Sequence, residues 1–159
     1  MILLEDTRNK IDKHELKHDY FASEGIEVVR TKLPFGDYAL WGSITSVDTK
    51  ADVEEIAQNI GAEHKRFMEE VKLSIKLGGR LIFLIENTHG YKCIEDVNAW
   101  VNPNMHKTAR SMEGPRLAKA MNTITDRYGV RFEFCSPEEA GKRVIELLEE
   151  DDGRIHKTT

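Results

Sequence analysis

Apolar positions along the chain fall into short blocks whose spacing alternates between strand-like and helix-like. Residues 2–5 form a short apolar run suited to a strand that ends at Asp6, and Thr7-Arg8-Asn9 is its polar exit. In residues 13–24 the apolar positions Leu16, Tyr20 and Phe21 fit a helix, which Gly25 closes as a C-terminal cap. Residues 26–30 have the β-branched content of a second strand. Residues 35–50 read as two strands joined by Gly42-Ser43, a dipeptide suited to a two-residue type II′ turn. A long helical region follows over residues 53–77. In it Ile56 and Ile60, then Phe67, Val71 and Ile75, recur four apart on one face, with Gly61 as a candidate break. Residues 80–86 are a continuous apolar run, the signature of a strand covered on both faces.

Residues 88–114 are mostly polar around one short helical candidate at 94–101, a stretch longer than connections usually are in a compact domain, which marks it as functional or disordered. Leu117, Met121 and Ile124 then share a helical face in residues 116–128, and residues 130–135 make another strand. Ser136-Pro-Glu-Glu opens a last helix: the serine as cap, Pro137 at the first position and Glu139 completing a capping box. Disorder is expected after Glu150, so residues 1–150 read as a single domain and 151–159 as a tail. Helices interleaved with strands and one early hairpin give an α/β class: a mixed sheet flanked by helices on both faces.

Composition narrows the picture. The chain has 159 residues, 40% hydrophobic and 32% charged, which is one globular core's worth and not a disordered composition. No apolar run approaches the ~18 residues that span a bilayer, and the start shows no basic segment with a cleavage site, so no membrane association and a cytoplasmic location are expected. Cys93 and Cys135 lie outside any CxxC pair and read as reduced thiols. The net charge of −5 leaves a DNA partner open, because carboxylates that hold cations offset local basic clusters.

The chemistry concentrates in the hairpin. With Gly42 and Ser43 as turn residues, Trp41 faces Ile44, and counting outward sets Asp37 opposite Asp48 with Cβ atoms about 4.5–5.5 Å apart. Two carboxylates that close repel unless a proton or cation lies between them, and a divalent metal with oxygen ligands suits the pair. Lys50, two residues beyond Asp48, points to the same face. A metal clamp beside a positive group is what phosphodiester hydrolysis needs. The alternative is a solvent-facing hairpin whose charges Lys50 neutralises.

Asp6-Thr7-Arg8, then Phe35-Gly36-Asp37-Tyr38, then Val47-Asp48-Thr49-Lys50, and later Leu84-Ile85-Glu86, in this order, resemble the XPF-type nuclease domain of the PD-(D/E)XK superfamily. The similarity covers roughly residues 1–87; residues 88–150 look like the extension of small phage and mobile-element proteins of this kind. The resemblance implies a restriction-endonuclease-like fold and a DNA endonuclease that acts on branched, flap or single-stranded DNA and dimerises. It implies that Asp37, Asp48 and the carbonyl of Thr49 bind Mg²⁺ or Mn²⁺, that Lys50 is catalytic, and that Asp6 and Arg8 support the site. Three positions depart from the family pattern: Asp48 stands for Glu, Thr49 for Arg, and Asn9 for the Glu of the first motif. Glu54 and Glu55 are the nearest counterparts of its last Asp. A non-catalytic DNA- or partner-binding module that retains the fold is therefore the runner-up.

Other signals compete. His14-Glu15-Leu16-Lys17-His18 matches the zinc-protease pattern HExxH, without a third-ligand motif. His64, Arg66 and Glu69 follow the hairpin and either reach the site or form a solvated face. Lys107, Arg110, Arg116 and Lys119 cluster in and after the long polar stretch as candidate phosphate contacts, with an exposed charged loop as the alternative. Trp41 and Trp100 read as packing residues.

Overall fold

The computed structural model describes residues 1–105 and 111–157, the last six by backbone alone. Its centre is a six-stranded mixed sheet in the order β2-β1-β3-β4-β5-β6. The strands are β1 (Ile2–Asp6), β2 (Glu27–Thr31), β3 (Tyr38–Leu40), β4 (Thr45–Lys50), β5 (Arg80–Glu86) and β6 (Arg131–Cys135). β3 alone runs against the others, being antiparallel to both β1 and β4. The remaining pairings are parallel. The C-terminal ends of β1, β4 and β5 and the start of β3 therefore meet at one edge of the sheet. This is where open α/β sheets place their sites.

Among the described residues, five α-helices flank the sheet: α1 (Glu15–Ser23), α2 (Val53–Ile60), α3 (His64–Lys76), α4 (Gly114–Tyr128) and α5 (Ala140–Lys157). Alternation along β5 shows the two layers. Phe83 and Ile85 pack with Ile56, Phe67, Val71 and Leu117 of α2, α3 and α4, whereas Ile82 and Leu84 pack with Phe21 of α1 and Val144 and Leu148 of α5. This double burial accounts for the unbroken apolar run of the sequence. Helix α2 starts where the Asp52 carboxylate accepts the Glu55 amide at 2.8 Å, an N-cap that satisfies an otherwise orphan donor.

Several expectations change in detail. The hairpin register is the expected one, with Tyr38 opposite Val47 and Ala39 opposite Ser46, but its connection is longer. The Ser43 amide donates to the Leu40 carbonyl at 3.0 Å, and Gly42 takes φ +81° as the second central residue of that turn. A four-residue loop centred on the same point as the two-residue turn leaves both of these cross-strand pairs unchanged. Trp41 in this loop is 73% exposed and packs no core, whereas Trp100 is buried. Gly61 does divide the long helical region, into α2 and α3, and Ile75 is exposed rather than part of the core stripe. In α1, Leu16 is likewise exposed, and the fully engaged neighbour of Phe21 is Lys17.

Residues 94–101 contain a 3₁₀ turn, Ile94–Ala99, rather than an α-helix, with Val97 anchored in the core. The Ser136 hydroxyl donates to the Glu139 carboxylate at 2.6 Å and caps no amide, so Pro137–Glu139 form a 3₁₀ turn before α5. α5 itself continues past Glu150, where a disordered tail was expected, to Lys157. Asp151 holds it down: its carboxylate is 3% exposed, accepts the Thr45 hydroxyl, and takes Arg80 Nη1 at 3.0 Å. Both cysteines are free. No helix among the described residues is long and apolar enough to cross a membrane.

Replacing Asp151 by Ala strands the fully buried Thr45 hydroxyl, and an unmet buried polar group costs about 1–3 kcal/mol. Urea unfolding of Asp151→Ala should lower stability by that amount; an unchanged midpoint would mean that the helix beyond Glu150 is not part of the fold.

Candidate active site

The edge where β1, β4 and β5 end opens into a cleft of about 820 Å³. Its floor is the start of β3 and the end of β4. The antiparallel pairing ends with Tyr38 opposite Val47. Just outside it the Asp37 amide donates to the Val47 carbonyl at 2.9 Å, one residue off that register, and Asp37 lies close enough to Asp48 for the charge of Asp48 to act on it. Asp37 Oδ2 accepts both the Thr49 amide and the Thr49 hydroxyl at 2.8 Å. Lys50 Nζ lies 3.1 Å from Asp48 Oδ1 and 5.7 Å from the centre of the Phe83 ring, on the same side of β4 as Asp48. Asp48, Thr49 and Lys50 are all buried.

Gly36 makes this approach feasible. A Cβ there would come within 2.6 Å of the Ser46 Cβ, and its φ is +75°, so only glycine lets the segment before β3 press onto β4. The Gly36 amide donates to Glu70 Oε1 at 3.1 Å. Glu70 comes from α3 and is a third carboxylate beside Asp48 that the motif-based reading missed. Glu70 sits three residues after Phe67 and one before Val71, at the border of the buried face of α3, where spacing alone does not separate it from the solvated edge.

Asp6 and Arg8 brace the site from β1. The Asp6 amide donates to the Asp37 carbonyl at 2.9 Å, and Arg8 Nε lies 2.6 Å from Asp6 Oδ2 while Arg8 Nη2 donates to the Leu33 carbonyl at 2.8 Å. Glu86, at the end of β5, is held by Lys17 Nζ at 2.7 Å in a pair where both side chains are nearly dry. Glu55 lines the cleft and accepts the Ala51 amide at 2.8 Å; Glu54 is exposed and does not line it.

The electrostatics follow from burial. Asp37 is pushed up to about 7 by loss of solvent and by the charge of Asp48, against the two Thr49 donors. Glu70 is pushed up to about 8 by burial and then by Asp48, against Lys50 and the Gly36 amide. For Lys50, burial works against its charge, but Asp48, Glu70 and Glu55 outweigh it and raise it above the ordinary lysine range. Three carboxylates thus surround Lys50, with the charge of Arg8 acting also on Asp37 and Glu70, and the negative charge in excess favours uptake of a proton or a cation.

Among the described residues no three His, Cys, Asp or Glu side chains are spaced to hold a metal ion together. The donor set that fits is instead two carboxylates, Asp37 and Asp48, with main-chain oxygen and water. Such all-oxygen coordination suits Mg²⁺ or Mn²⁺, which keep several waters, and the pressure on Asp37 to take up a proton is the pressure that favours a cation. The HExxH residues do not assemble. His18 Nε2 is bound to the buried Glu5 at 2.6 Å, Glu15 is exposed, and burial followed by Lys17 lowers His14 to about 4.

Of the other candidates, Arg66 and Glu69 line the cleft, and His64 does not. Arg116 and Lys119 are exposed on α4 and do not line it either. Lys107 and Arg110 fall outside the described residues.

A sheet with its acidic cluster and lysine at one edge defines a class, and the chain belongs to it: it is a member of the ERCC4 domain family, whose model matches residues 6–148. Among solved structures it is similar to XPF from Aeropyrum pernix, with a TM-score of 0.64 at 17% identity over 99% of this chain and 68% of that one. It is similar also to XPF from Aeropyrum pernix in complex with DNA, with a TM-score of 0.65 at 17% identity over 96% of this chain and 66% of that one. The chain spans about two thirds of the length of these structures. No curated protein matches it.

The raised carboxyls carry a pH consequence. Asp37 and Glu70 bind protons more tightly folded than at their ordinary values of 3.8 and 4.5, so the stability they contribute is full below those values and is lost as pH rises through about 7 and about 8. Without divalent cations, Tm should fall across that interval, and Glu70→Gln should flatten its upper part. Mg²⁺ or Mn²⁺ should raise Tm more above pH 8 than below pH 7. Scanning calorimetry checks both; a Tm equally responsive to metal at either pH would contradict the charge balance described.

Proposed function

We propose that the protein is a divalent-metal-dependent DNA endonuclease that hydrolyses phosphodiester bonds and selects its substrate by DNA structure more than by sequence. The observation that carries this reading is the grouping of Asp37, Asp48 and Lys50 on the floor of an open cleft, with Lys50 Nζ 3.1 Å from Asp48. Family membership and a fold shared with XPF support it.

The carboxylates of Asp37 and Asp48 and the carbonyl of Thr49 would hold Mg²⁺ or Mn²⁺. When bound, such a cation lowers the pKa of a coordinated water and offsets charge on the phosphoryl oxygens. Thr49 fixes the Asp37 carboxylate through two donors, so its orientation is set before substrate arrives. Lys50 is held in its charged form by the surrounding carboxylates. Its role is therefore electrostatic: it orients the attacking water through a donated hydrogen bond, or stabilises the negative charge that grows on the phosphoryl group, rather than accepting a proton. Asp6 and Arg8 are supporting residues that keep the start of β3 against β1.

With supercoiled, single-stranded and branched DNA and Mg²⁺ or Mn²⁺, the wild type should nick at least one substrate. Removal of one group that stabilises transition-state charge costs on the order of 10²–10³ in rate, so Asp48→Ala and Lys50→Ala should each lose at least that much. Equal cleavage by the variants would remove these residues from the chemistry, and binding without cleavage by the wild type would leave a DNA-binding module.

A further inference from the structure

The two walls of the cleft carry opposite charge. One comes from the connection after β1 and from the 3₁₀ turn Ile11–His14 that leads into α1, on the face of the sheet shared with α5. It presents Arg8, Lys10, Lys13 and Lys17 to the cleft. Arg8 is engaged by Asp6 and Lys17 by Glu86. Lys10 and Lys13 are exposed and, among the described residues, form no ion pair. The opposite wall comes from α2 and α3, on the other face of the sheet, and presents Glu55, Glu63 and Glu69 beyond Glu70, with Arg66 as its one cation in the cleft. The walls cannot exchange character, because they are attached to opposite faces of the same sheet.

We infer that the cleft is a channel for one strand of DNA, whose phosphates follow Lys10 and Lys13 on the basic wall while the glutamates opposite exclude a second backbone. The inference rests on the nuclease reading and deepens it by naming the substrate form. A single chain of phosphates can keep to the basic side with one phosphate over Asp37 and Asp48. A duplex brings two charged backbones, one of which must approach Glu63 and Glu69. Across separations near the Debye length of about 10 Å at 0.1 M salt, that repulsion is felt by the intact duplex and spared to a lone strand. It also places the phosphate contacts away from Arg116 and Lys119, which lie outside the cleft.

Binding without catalysis tests this. Fluorescence anisotropy in EDTA, over a series of salt concentrations, compares a labelled oligothymidylate with a duplex of equal length. Each phosphate contact to a single strand contributes about 0.7 to the slope of log affinity against log salt, so Lys10→Ala with Lys13→Ala should lower that slope by about 1.4. Arg116→Ala with Lys119→Ala should leave it unchanged. Glu63→Lys with Glu69→Lys should strengthen duplex binding and narrow the preference for the single strand. Five of the six residues are exposed, Glu63 is half-buried with its carboxylate accepting from Asn59 at 2.8 Å, and circular dichroism checks that each variant is folded. An unchanged slope in the lysine variant, or an unchanged strand preference in the glutamate variant, overturns the channel while leaving the nuclease reading standing. Failure of the wild type to bind either DNA overturns both.

Discussion

The organising constraint is the burial of like charge at the sheet edge. Two unit charges about 4 Å apart interact by about 4 kcal/mol at an effective dielectric constant of 20, against a total stability of about 5–15 kcal/mol for a domain. Asp37, Asp48 and Glu70 are not fully neutralised by Lys50, which pairs with Asp48, together with the charge of Arg8, which acts on Asp37 and Glu70. The protein tolerates the arrangement because hydrogen bonds fix each group. Thr49 grips Asp37, Lys50 meets Asp48, and the Gly36 amide meets Glu70. These contacts reduce the repulsion without removing it, so Asp37 and Glu70 are pushed toward their protonated forms.

The remainder of the fold serves that edge. One antiparallel strand inserted among parallel ones brings the start of β3 beside the ends of β1 and β4, so residues far apart in sequence share one site. Layers on both faces then supply walls of independent composition. α1 contributes Lys17 to pair with Glu86, and α3 contributes Glu70 to reach Gly36. The cleft's asymmetry of charge follows from which helix covers which face.

What could be read from the sequence was what local periodicity controls. The pairing of Tyr38 with Val47 and of Ala39 with Ser46 depends only on alternation and on the centre of the turn, and it survived a change from a two-residue to a four-residue connection because the centre did not move. Asp37, by contrast, leaves that register and bonds through its amide to the Val47 carbonyl. Glu70 escaped notice because a carboxylate on an amphipathic helix reads as its solvated edge, and the partner that redefines it, Gly36, lies 34 residues away. The same holds for the end of α5. An acidic run after Glu150 looks like a polar tail until Thr45 and Arg80, 106 and 71 residues distant, are seen to bury Asp151. Lys17 in α1 shows the converse, since a lysine next to an apolar face is buried only because Glu86 meets it there. Long-range polar pairing leaves no periodic trace.

Thr49 has a further consequence. The related nuclease pattern carries Arg at this position, a permanent cation beside two carboxylates. Here a neutral side chain supplies a hydroxyl donor to Asp37 instead, in addition to the main-chain amide. That fixes the carboxylate but leaves its charge, so the site keeps an excess of acid beside Lys50 and Arg8. Loss of the arginine is therefore not a simple weakening. It makes the fixed orientation of Asp37 depend on hydrogen bonding from Thr49 rather than on ion pairing at that position. A neutral donor also lets Asp37 take up a proton when no cation is present, as its shift to about 7 indicates, where an adjacent guanidinium would have held it ionised.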